Sequence, residues 1–362
     1  MKAMRNKKIL IVSHGIGDGG AQRVTAMLGN GFAEIGYNVR IVTSAPTDNP
    51  YPLDEGVGYY PIQASQKKSY QRVLYRIIFI RRLISKYQPD YILSLSAIPN
   101  MMTIIAGGLR ERKIVISERT DPSKHPESIM ARKVRNLLYH IPKRIVFQTK
   151  EAGYYFSKSI RKKGVVIPNA VPYGLNNLEP YCEEREKIIV GVGSLSEQKD
   201  WMTAIKAFEI FIEIYQEYKL IIYGEGEYRK LLEDYVSLNP LLCGKVEFPG
   251  FVPNIHEAIC KSAVFVSSSK YDGISNSILE AMALGLPCIC TDAPVGGARM
   301  LINDGVNGFL VEVGDYRTLS EKMKVLVKEP GIAKRISKNA VYVRDKFKFD
   351  RIIRQLEKAL IS

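Results

Sequence analysis

Two carboxylates stand eight residues apart at Asp272 and Glu280, within the segment D-G-I-S-N-S-I-L-E-A-M-A. A strand-like run precedes this segment and a helical pattern begins in it, so the backbone N–H groups of residues 274–276 start a helix, where an anion is stabilised. Gly273 permits close approach of a ligand to the backbone. Glu280, two turns into the helix, can accept hydrogen bonds from paired ribose hydroxyls. The spacing by itself is more typical of a capped helix with two exposed acids, and the surrounding residues decide between that alternative and a nucleotide site.

A glycine cluster, G-I-G-D-G-G at residues 15–20, matches the dinucleotide-binding pattern GxGxxG. A nicotinamide site also needs an acidic residue about 20 residues further on, at the end of the second strand. That strand ends V-T-S at residues 42–44, without an acid. A backbone surface close to a diphosphate is therefore favoured over a dehydrogenase site or a purely structural turn.

The residue pattern gives no indication of a metal site. The sequence contains no D-x-D motif, and its histidines are dispersed: His14, His125, His140 and His256. The five cysteines include no CxxC pair, and an odd number cannot form a complete disulfide framework. We predict buried, reduced thiols, no cofactor and a reaction that needs no metal ion.

The apolar pattern predicts two scaffolds that position these residues. In residues 1–170 and again in 187–344, β-rich runs alternate with helical stretches, which is typical of parallel βαβ units that bind ligands at the carboxyl ends of their strands. The predicted strands span residues 9–12, 39–43, 91–95, 114–117 and 145–148, then 188–192, 220–223, 246–248, 264–267, 288–291 and 309–311. Residues 171–186 have linker composition, and an amphipathic helix in residues 345–362 is predicted to pack on the first domain. The fold class is therefore α/β, with two Rossmann-like domains facing each other across a cleft.

The segment that carries the two carboxylates resembles a signature of the retaining, two-Rossmann-domain glycosyltransferases of family four. That signature is E-x7-E followed by A-M-A and G-x-P, and here it stands as Asp272, Glu280 to Ala283, Gly285 and Pro287. The resemblance implies that Glu280 binds the donor ribose and that Asp272, an aspartate in place of the usual glutamate, contacts sugar hydroxyls. It also implies that sugar and phosphates are held by the amides of Gly273, Ile274, Ser275 and Asn276.

Further blocks extend the resemblance over nearly the whole chain. Residues 191–200, G-V-G-S-L-S-E-Q-K-D, are similar to the family's G-R-L-x3-K-G loop, which implies that Lys199 meets the donor diphosphate. An ammonium group there would offset charge on the departing nucleotide, whereas the alternative is a solvated lysine before a helix. Other donor-binding residues implied by the resemblance are Gly19, Gly20, Gly193, Ser194 (in place of the usual arginine), Gly224, Phe251 and Val252.

For catalysis, the resemblance implies front-face attack, in which the leaving phosphate helps to deprotonate the acceptor. The protein then mainly positions the reactants and stabilises the leaving group, so no catalytic triad is required. Besides Asp272 and Lys199, the candidate catalytic residues are Glu118 and Arg119, which follow a strand of the first domain. A salt-linked structural loop is an equal alternative for these two, and His14 is more typical of a structural histidine.

Positive charge is concentrated in the first part of the chain. Residues 1–170 hold 28 Lys and Arg against 11 Asp and Glu, a net +17, whereas the remainder holds 24 against 26, a net −2. This asymmetry predicts contact with a polyanion, and since nucleic-acid-binding signatures are absent we favour an anionic membrane. In residues 67–87 we predict an interfacial helix with Val73, Ile77, Ile80 and Ile84 inward. Its outward face would hold the membrane and acceptor residues Arg72, Arg76, Phe79, Leu83 and Lys86.

The sequence therefore predicts a retaining, metal-independent transferase of a hexose or N-acetylhexosamine. The donor would be a UDP-linked nucleotide sugar. The acceptor, inferred from the basic charge and from the habit of the family, would be a lipid-linked or other glycan in surface polysaccharide synthesis. No apolar run approaches the roughly 20 residues that span a bilayer, and no signal peptide is recognised. We expect a cytoplasmic protein, peripheral on the inner face of the membrane. Two alternatives stay open: a nucleotide-sugar epimerase or hydrolase of the same fold, and a non-catalytic nucleotide-sugar-binding subunit of a glycan assembly complex.

Overall fold

The chain folds into two compact units in the computed structural model, which describes residues 7–17, 20–47, 50–64, 68–108, 113–176, 180 and 185–362. The first unit takes in Met1–Asn169 and Phe349–Ser362, and the second takes in Ala170–Lys348. Residues 171–186, predicted as a linker, are grouped with the second unit, where Val171 and Leu175 are buried in a hydrophobic cluster.

The first unit is built on a parallel sheet of seven strands in the spatial order β3-β2-β1-β4-β5-β6-β7. Its strands are β1 (Lys8–Ser13), β2 (Asn38–Thr43), β3 (Val57–Pro61), β4 (Tyr91–Leu95), β5 (Ile114–Glu118), β6 (Arg144–Phe147) and β7 (Gly164–Val166). The sequence did not predict β3 and β7, because both are edge strands whose residues are mostly half-buried and lack a continuous apolar run.

The second unit contains a parallel sheet of six strands in the order β10-β9-β8-β11-β12-β13. Its strands are β8 (Glu186–Val192), β9 (Lys219–Tyr223), β10 (Val246–Gly250), β11 (Ser262–Ser267), β12 (Cys288–Thr291) and β13 (Phe309–Val311). The chain leaves β8 toward β9 on one side and leaves β11 toward β12 on the other, so the ligand crevice is expected where β8 and β11 lie side by side. Both sheets confirm the predicted α/β class.

Helices cover both sheets. In chain order they are α1 (Gly20–Glu34), α2 (Ser69–Tyr87), α3 (Ala97–Gly107), α4 (Ile129–Leu138), α5 (Lys150–Tyr154), α6 (Lys158–Arg161), α7 (Tyr173–Asn176), α8 (Trp201–Ile212), α9 (Arg229–Ser237), α10 (Ile255–Ile259), α11 (Asn276–Ala283), α12 (Gly297–Leu301), α13 (Tyr316–Lys328), α14 (Pro330–Ala340), α15 (Val343–Lys346) and α16 (Phe349–Ile361). Within the described ranges, none of them is long and apolar enough to cross a membrane.

The last helix, α16, belongs to the first unit, as the sequence predicted. Its apolar residues Ile352, Ile353, Leu356 and Leu360 are all buried. A Cβ on Gly31 of α1 would lie 2.5 Å from the Phe349 ring, so the absence of a side chain at Gly31 allows the two helices to pack closely.

The predicted orientation of the helix in residues 67–87 was wrong in part. Leu83 is only 8% exposed and packs in the core of the first unit, and Phe79 is half-buried against the same core. Val73, predicted to face inward, is 44% exposed. Because apolar residues occur on most sides of α2, its sequence alone did not decide which side packs on the sheet. Arg72 and Arg76 are half-buried and Lys86 is exposed.

Candidate active site

Hydrogen bonds join the loops that follow β8 and β11. These two strands lie side by side at the switch point of the second sheet, where the direction of the strand order reverses. The backbone N–H of Lys270 donates to the Gln198 carbonyl oxygen at 2.8 Å, and the Ser268 hydroxyl donates to the Lys199 carbonyl oxygen at 3.0 Å. The first loop ends in a short 3-10 helix, Glu197–Lys199, which Asp200 terminates in the left-handed conformation. These contacts fix Lys199 against the segment that carries Asp272.

Lys199 and Asp272, which the sequence predicted as separate donor contacts, form an ion pair. The Lys199 Nζ lies 2.5 Å from Asp272 Oδ2, and the two side chains are only 16% and 19% exposed. The pair therefore holds a positive and a negative group, both partly shielded from water, at the edge where a ligand is expected. An incoming anion can compete with Asp272 for the ammonium group.

At two positions in this site, backbone segments approach so closely that only glycine fits between them. Gly224, at the end of β9, has φ 142°, and a Cβ there would lie 2.0 Å from the Gly193 carbonyl oxygen. A Cβ on Gly297 would lie 1.8 Å from the carbonyl oxygen of Gly273. The first contact packs the β8 and β9 loops, and the second packs α12 on the 272–276 segment.

Replacing Gly297 with alanine should destabilise the protein and weaken donor binding, because the Cβ must displace the Gly273 backbone. We expect a loss of about 1–3 kcal/mol in the free energy of unfolding, the usual cost of overpacking. Gly331→Ala is the matched control, since a Cβ there meets nothing within 4 Å. Denaturant unfolding and calorimetric titration with UDP measure both effects, and a Gly297→Ala variant indistinguishable from the control would contradict this account.

Glu280 is buried in α11 and is paired with a histidine that sequence reasoning missed. Its side chain is only 5% exposed, and its Oε2 atom lies 2.9 Å from Nε2 of His256 on α10. The sequence held no signal for this contact, because the two residues lie 24 positions apart in separate elements. His256 restricts the orientation of the carboxylate that is predicted to bind the ribose.

The remaining predicted donor residues of the second unit lie around the same strand ends. Gly273, Ile274 and Ser275 are buried where α11 begins, and Asn276 is its first residue. Ser194 is exposed, and its carbonyl oxygen accepts a hydrogen bond from the Trp201 indole at 3.0 Å. Phe251, at the end of β10, is 47% exposed, and Val252 beside it is half-buried. In the first unit, Gly20 starts α1, and Gly19 lies outside the described residues.

Glu118, a candidate catalytic residue, is enclosed in the first unit. Its carboxylate accepts a hydrogen bond from the Tyr139 hydroxyl at 2.8 Å, and that hydroxyl accepts one from the Asn100 amide at 2.9 Å. Its other oxygen, Oε1, has no hydrogen-bond partner among the described residues. Burial raises the pKa of Glu118 to about 7, against a usual 4.5. These contacts favour a structural or positioning role for Glu118 over direct contact with a substrate.

The burial of Glu118 predicts a pH-dependent stability. The folded chain holds the Glu118 proton up to a pKa of about 7, whereas the unfolded chain releases it near 4.5, so stability falls as pH rises through this interval. The difference corresponds to at most about 3 kcal/mol. Glu118→Gln should therefore lose less stability than the unmodified protein between pH 5 and 8, as measured by unfolding at both pH values. Parallel pH profiles for the two proteins would exclude this effect.

Arg119 lies at the carboxyl edge of the first sheet, with its Nη2 atom donating to Asn169 Oδ1 at 2.7 Å. Gln148, which follows β6, donates to the same oxygen at 2.7 Å. Burial lowers the pKa of Arg119 to about 10. His14, at the end of β1, lies 3.0 Å from the Ser44 hydroxyl, and burial together with the positive charge of Arg76 lowers its pKa. These contacts give Arg119 the position predicted for it, at a strand end, and give His14 a structural partner.

Comparison with known proteins identifies the class. Two family models match the chain in tandem: Glycosyltransferase Family 4 over residues 18–173 and Glycosyl transferases group 1 over residues 180–341. The amylovoran biosynthesis glycosyltransferase AmsD of Erwinia amylovora is 23% identical to this chain, over 92% of this chain and 93% of AmsD. An uncharacterized glycosyltransferase of Methanocaldococcus jannaschii is 27% identical over 64% of this chain, and the match spans 62% of that protein.

A third relative is named for a defined reaction. It is the N-acetylgalactosamine-N,N'-diacetylbacillosaminyl-diphospho-undecaprenol 4-alpha-N-acetylgalactosaminyltransferase of Campylobacter jejuni, 29% identical over 70% of this chain and 71% of its own length. Among solved structures, HepE of Anabaena in complex with UDP and glucose aligns with a TM-score of 0.82 at 19% identity, over 99% of this chain and 100% of that one. TarM aligns with a TM-score of 0.82 at 13% identity over both full chains.

Two Rossmann-like units, matched in turn by two glycosyltransferase family models, identify a glycosyltransferase of the GT-B fold. The chain belongs to glycosyltransferase family four, as its signature residues indicated.

Proposed function

We propose that this glycosyltransferase moves a hexose or N-acetylhexosamine from a UDP-sugar to a lipid-linked or other glycan acceptor in surface polysaccharide synthesis, with retention of the anomeric configuration. The observation that carries the proposal is the shielded Lys199–Asp272 ion pair beside the carboxyl ends of β8 and β11, with Glu280 in helix α11, which follows Asp272 in the chain. The names of relatives that act on undecaprenyl diphosphate-linked glycans support the acceptor class, and the UDP complex of HepE supports the nucleotide.

In the proposed reaction, the donor diphosphate takes the place of Asp272 as the partner of Lys199. The ammonium group then faces the charge that accumulates on the departing UDP, where it is most stabilising in a shielded site. Asp272, released from the ion pair, is free to accept hydrogen bonds from sugar hydroxyls. The anomeric carbon–phosphate bond breaks as the acceptor oxygen bonds to the same face of the sugar, and the leaving phosphate takes the acceptor proton.

The reaction is further proposed to need no metal ion, because Lys199 and the N-terminus of α11 supply positive potential at the diphosphate. Transfer should accordingly persist in excess EDTA. A lipid-linked acceptor would also require the enzyme to work at a membrane surface, and we propose a cytoplasmic, peripheral location for it.

The test is to incubate purified protein with UDP-, GDP- and dTDP-sugars, with and without a lipid extract, and to follow nucleotide diphosphate release and the anomeric configuration of the product. The proposal expects release from a UDP-sugar that depends on the extract, persists in EDTA and yields a retained product. Extract-independent release would instead identify a hydrolase. Nucleotide binding without turnover across the panel would identify a non-catalytic binding subunit.

A further inference from the structure

Helix α4 has its polar and apolar residues in the reverse of the usual arrangement. Ile129, Met130 and Leu137 are 66%, 67% and 72% exposed, and Val134, on the same side, is 40% exposed. Arg135, on the opposite side, is fully buried. A surface helix normally turns its apolar face to the core and its charges to solvent. The exposed apolar side of α4 therefore needs an explanation other than folding of the unit itself.

The inward arginine is held by specific contacts, which shows that α4 packs in a defined orientation. The Arg135 guanidinium lies 4.9 Å from the centre of the Phe156 ring and 5.1 Å from that of Tyr155. It also donates to the His125 carbonyl oxygen at 2.6 Å and to Asn136 Oδ1. The Asn136 contact lies within α4, but rotating the helix to bury its apolar side would break the contacts of Arg135 with Phe156, Tyr155 and the His125 carbonyl oxygen.

Helix α2 carries a second exposed apolar row. Tyr70, Leu74 and Ile78 follow one another at helical spacing and are 68%, 58% and 40% exposed. Helix α3 packs between α2 and α4. All three helices lie on one face of the sheet, because each crossover is right-handed and advances in the same direction along the strand order. We call the two rows together the α2–α4 face.

The positive charges on this face indicate what kind of partner it binds. The exposed residues Arg81 and Arg82 continue the α2 row, and Lys133 lies among the exposed apolar residues of α4. A second copy of the chain would bring the same cations against them, which disfavours self-association through this face. Apolar side chains interleaved with cations match the boundary between anionic headgroups and acyl chains.

We propose that the α2–α4 face docks on an anionic lipid bilayer, with Ile129, Met130 and Leu137 of α4 entering the headgroup–acyl boundary. The inference deepens the proposed function, on which its biological setting rests, and replaces the predicted contact through Phe79 and Leu83. It assigns attachment to the exposed apolar side of α4, with α2 as the second contact. Charge attracts the unit to the surface, and the apolar row holds it there.

The test is co-sedimentation of the full chain with vesicles of phosphatidylglycerol and phosphatidylcholine, or of phosphatidylcholine alone. We expect binding to the anionic vesicles and at least ~tenfold weaker partition to the neutral ones. Ile129→Ser, Met130→Ser and Leu137→Ser together should lower partition to anionic vesicles by at least ~tenfold. The matched control replaces three exposed apolar residues of the second unit with serine: Ile214, Leu231 and Leu238, which are 65%, 52% and 84% exposed.

Fluorescence of single tryptophan substitutions gives a second readout. Leu137→Trp should shift its emission to shorter wavelength on addition of anionic vesicles, whereas Leu238→Trp should not, and the native Trp201 is buried and constant in both. Equal vesicle binding by the triple α4 variant and the control would overturn the proposal. So would a wild-type dimer, seen by analytical ultracentrifugation, that the α4 variant dissociates while vesicle binding is absent.

Failure of this inference is distinguishable from failure of the proposed function. In detergent micelles no bilayer is present, so the triple α4 variant should bind UDP-sugar and transfer to a lipid-linked acceptor as the unmodified protein does. Loss of transfer by the unmodified protein in micelles would count against the proposed function, whereas the vesicle measurements would still decide the role of the α2–α4 face.

Discussion

Lys199→Ala should lower kcat for sugar transfer by about 10²–10³-fold, the usual effect of removing a group that stabilises developing charge in a shielded site. The ammonium group lies 2.5 Å from Asp272 and is proposed to meet the departing diphosphate in the reaction. Steady-state kinetics with the UDP-sugar identified in the donor panel measures the effect. Lys199→Arg keeps the charge but changes its geometry, so it should recover only part of the rate.

The control for this substitution is Lys270→Ala. Lys270 lies in the adjacent loop, and its side chain is 41% exposed and pairs with Glu197 at 3.6 Å. Its removal should change kcat by less than about twofold, because exposed ion pairs contribute little. If Lys199→Ala and Lys270→Ala reduce kcat to the same small extent, Lys199 does not stabilise the leaving group.

Glu280→Ala should raise KM for the donor by about 10–100-fold, the range that corresponds to the loss of one or two hydrogen bonds to a charged acceptor. Donor affinity measured by titration with UDP should fall with it, since the ribose belongs to both ligands. Glu280→Gln retains one acceptor oxygen, so its KM for the donor should lie between those of the unmodified protein and Glu280→Ala. Because Glu280 is buried beside His256, unfolding must be measured in parallel to separate lost binding from lost stability.

His256 tests whether orientation of this carboxylate matters. His256→Ala removes its 2.9 Å partner and should raise KM for the donor by less than Glu280→Ala does, while kcat changes little. Glu257→Gln, an exposed neighbour on the same helix, is the control. A fall in kcat without a change in KM would show that His256 acts on the reaction itself rather than by positioning Glu280.

The residues proposed to bind the donor lie in short, ordered segments, so the sequence could indicate them as candidates. Lys199 ends a glycine-containing loop, and Asp272 and Glu280 lie before and within the first helix that follows β11, where local spacing and the family signature pointed to them. The ion pair between Lys199 and Asp272 was not predictable, because it forms only when β8 and β11 lie side by side in the folded sheet. The contact of His256 with Glu280 was not predictable either, because the two residues lie 24 positions apart on separate helices.

The errors in the first unit have a different cause. Alternating β and α patterns predicted its central strands, but the edge strand β3 has half-buried residues and left only a weak apolar signal. In α2, apolar residues lie on most sides of the helix, so periodicity did not exclude an outward Leu83. In α4, the buried Arg135 is stabilised by Tyr155 and Phe156, which follow it by about 20 residues and could not be assigned to it in advance.

Because α16 belongs to the first unit, the two units are not completed in the order in which they are synthesised. Residues 170–348 form a unit that is continuous in sequence and can close as soon as it emerges from the ribosome, since domains generally fold as units during synthesis. The first unit, although synthesised earlier, lacks the buried side of α16 until residues 349–362 arrive. The unit translated first is thus the last to be completed, and its surface beside Gly31 stays uncovered throughout synthesis of the second.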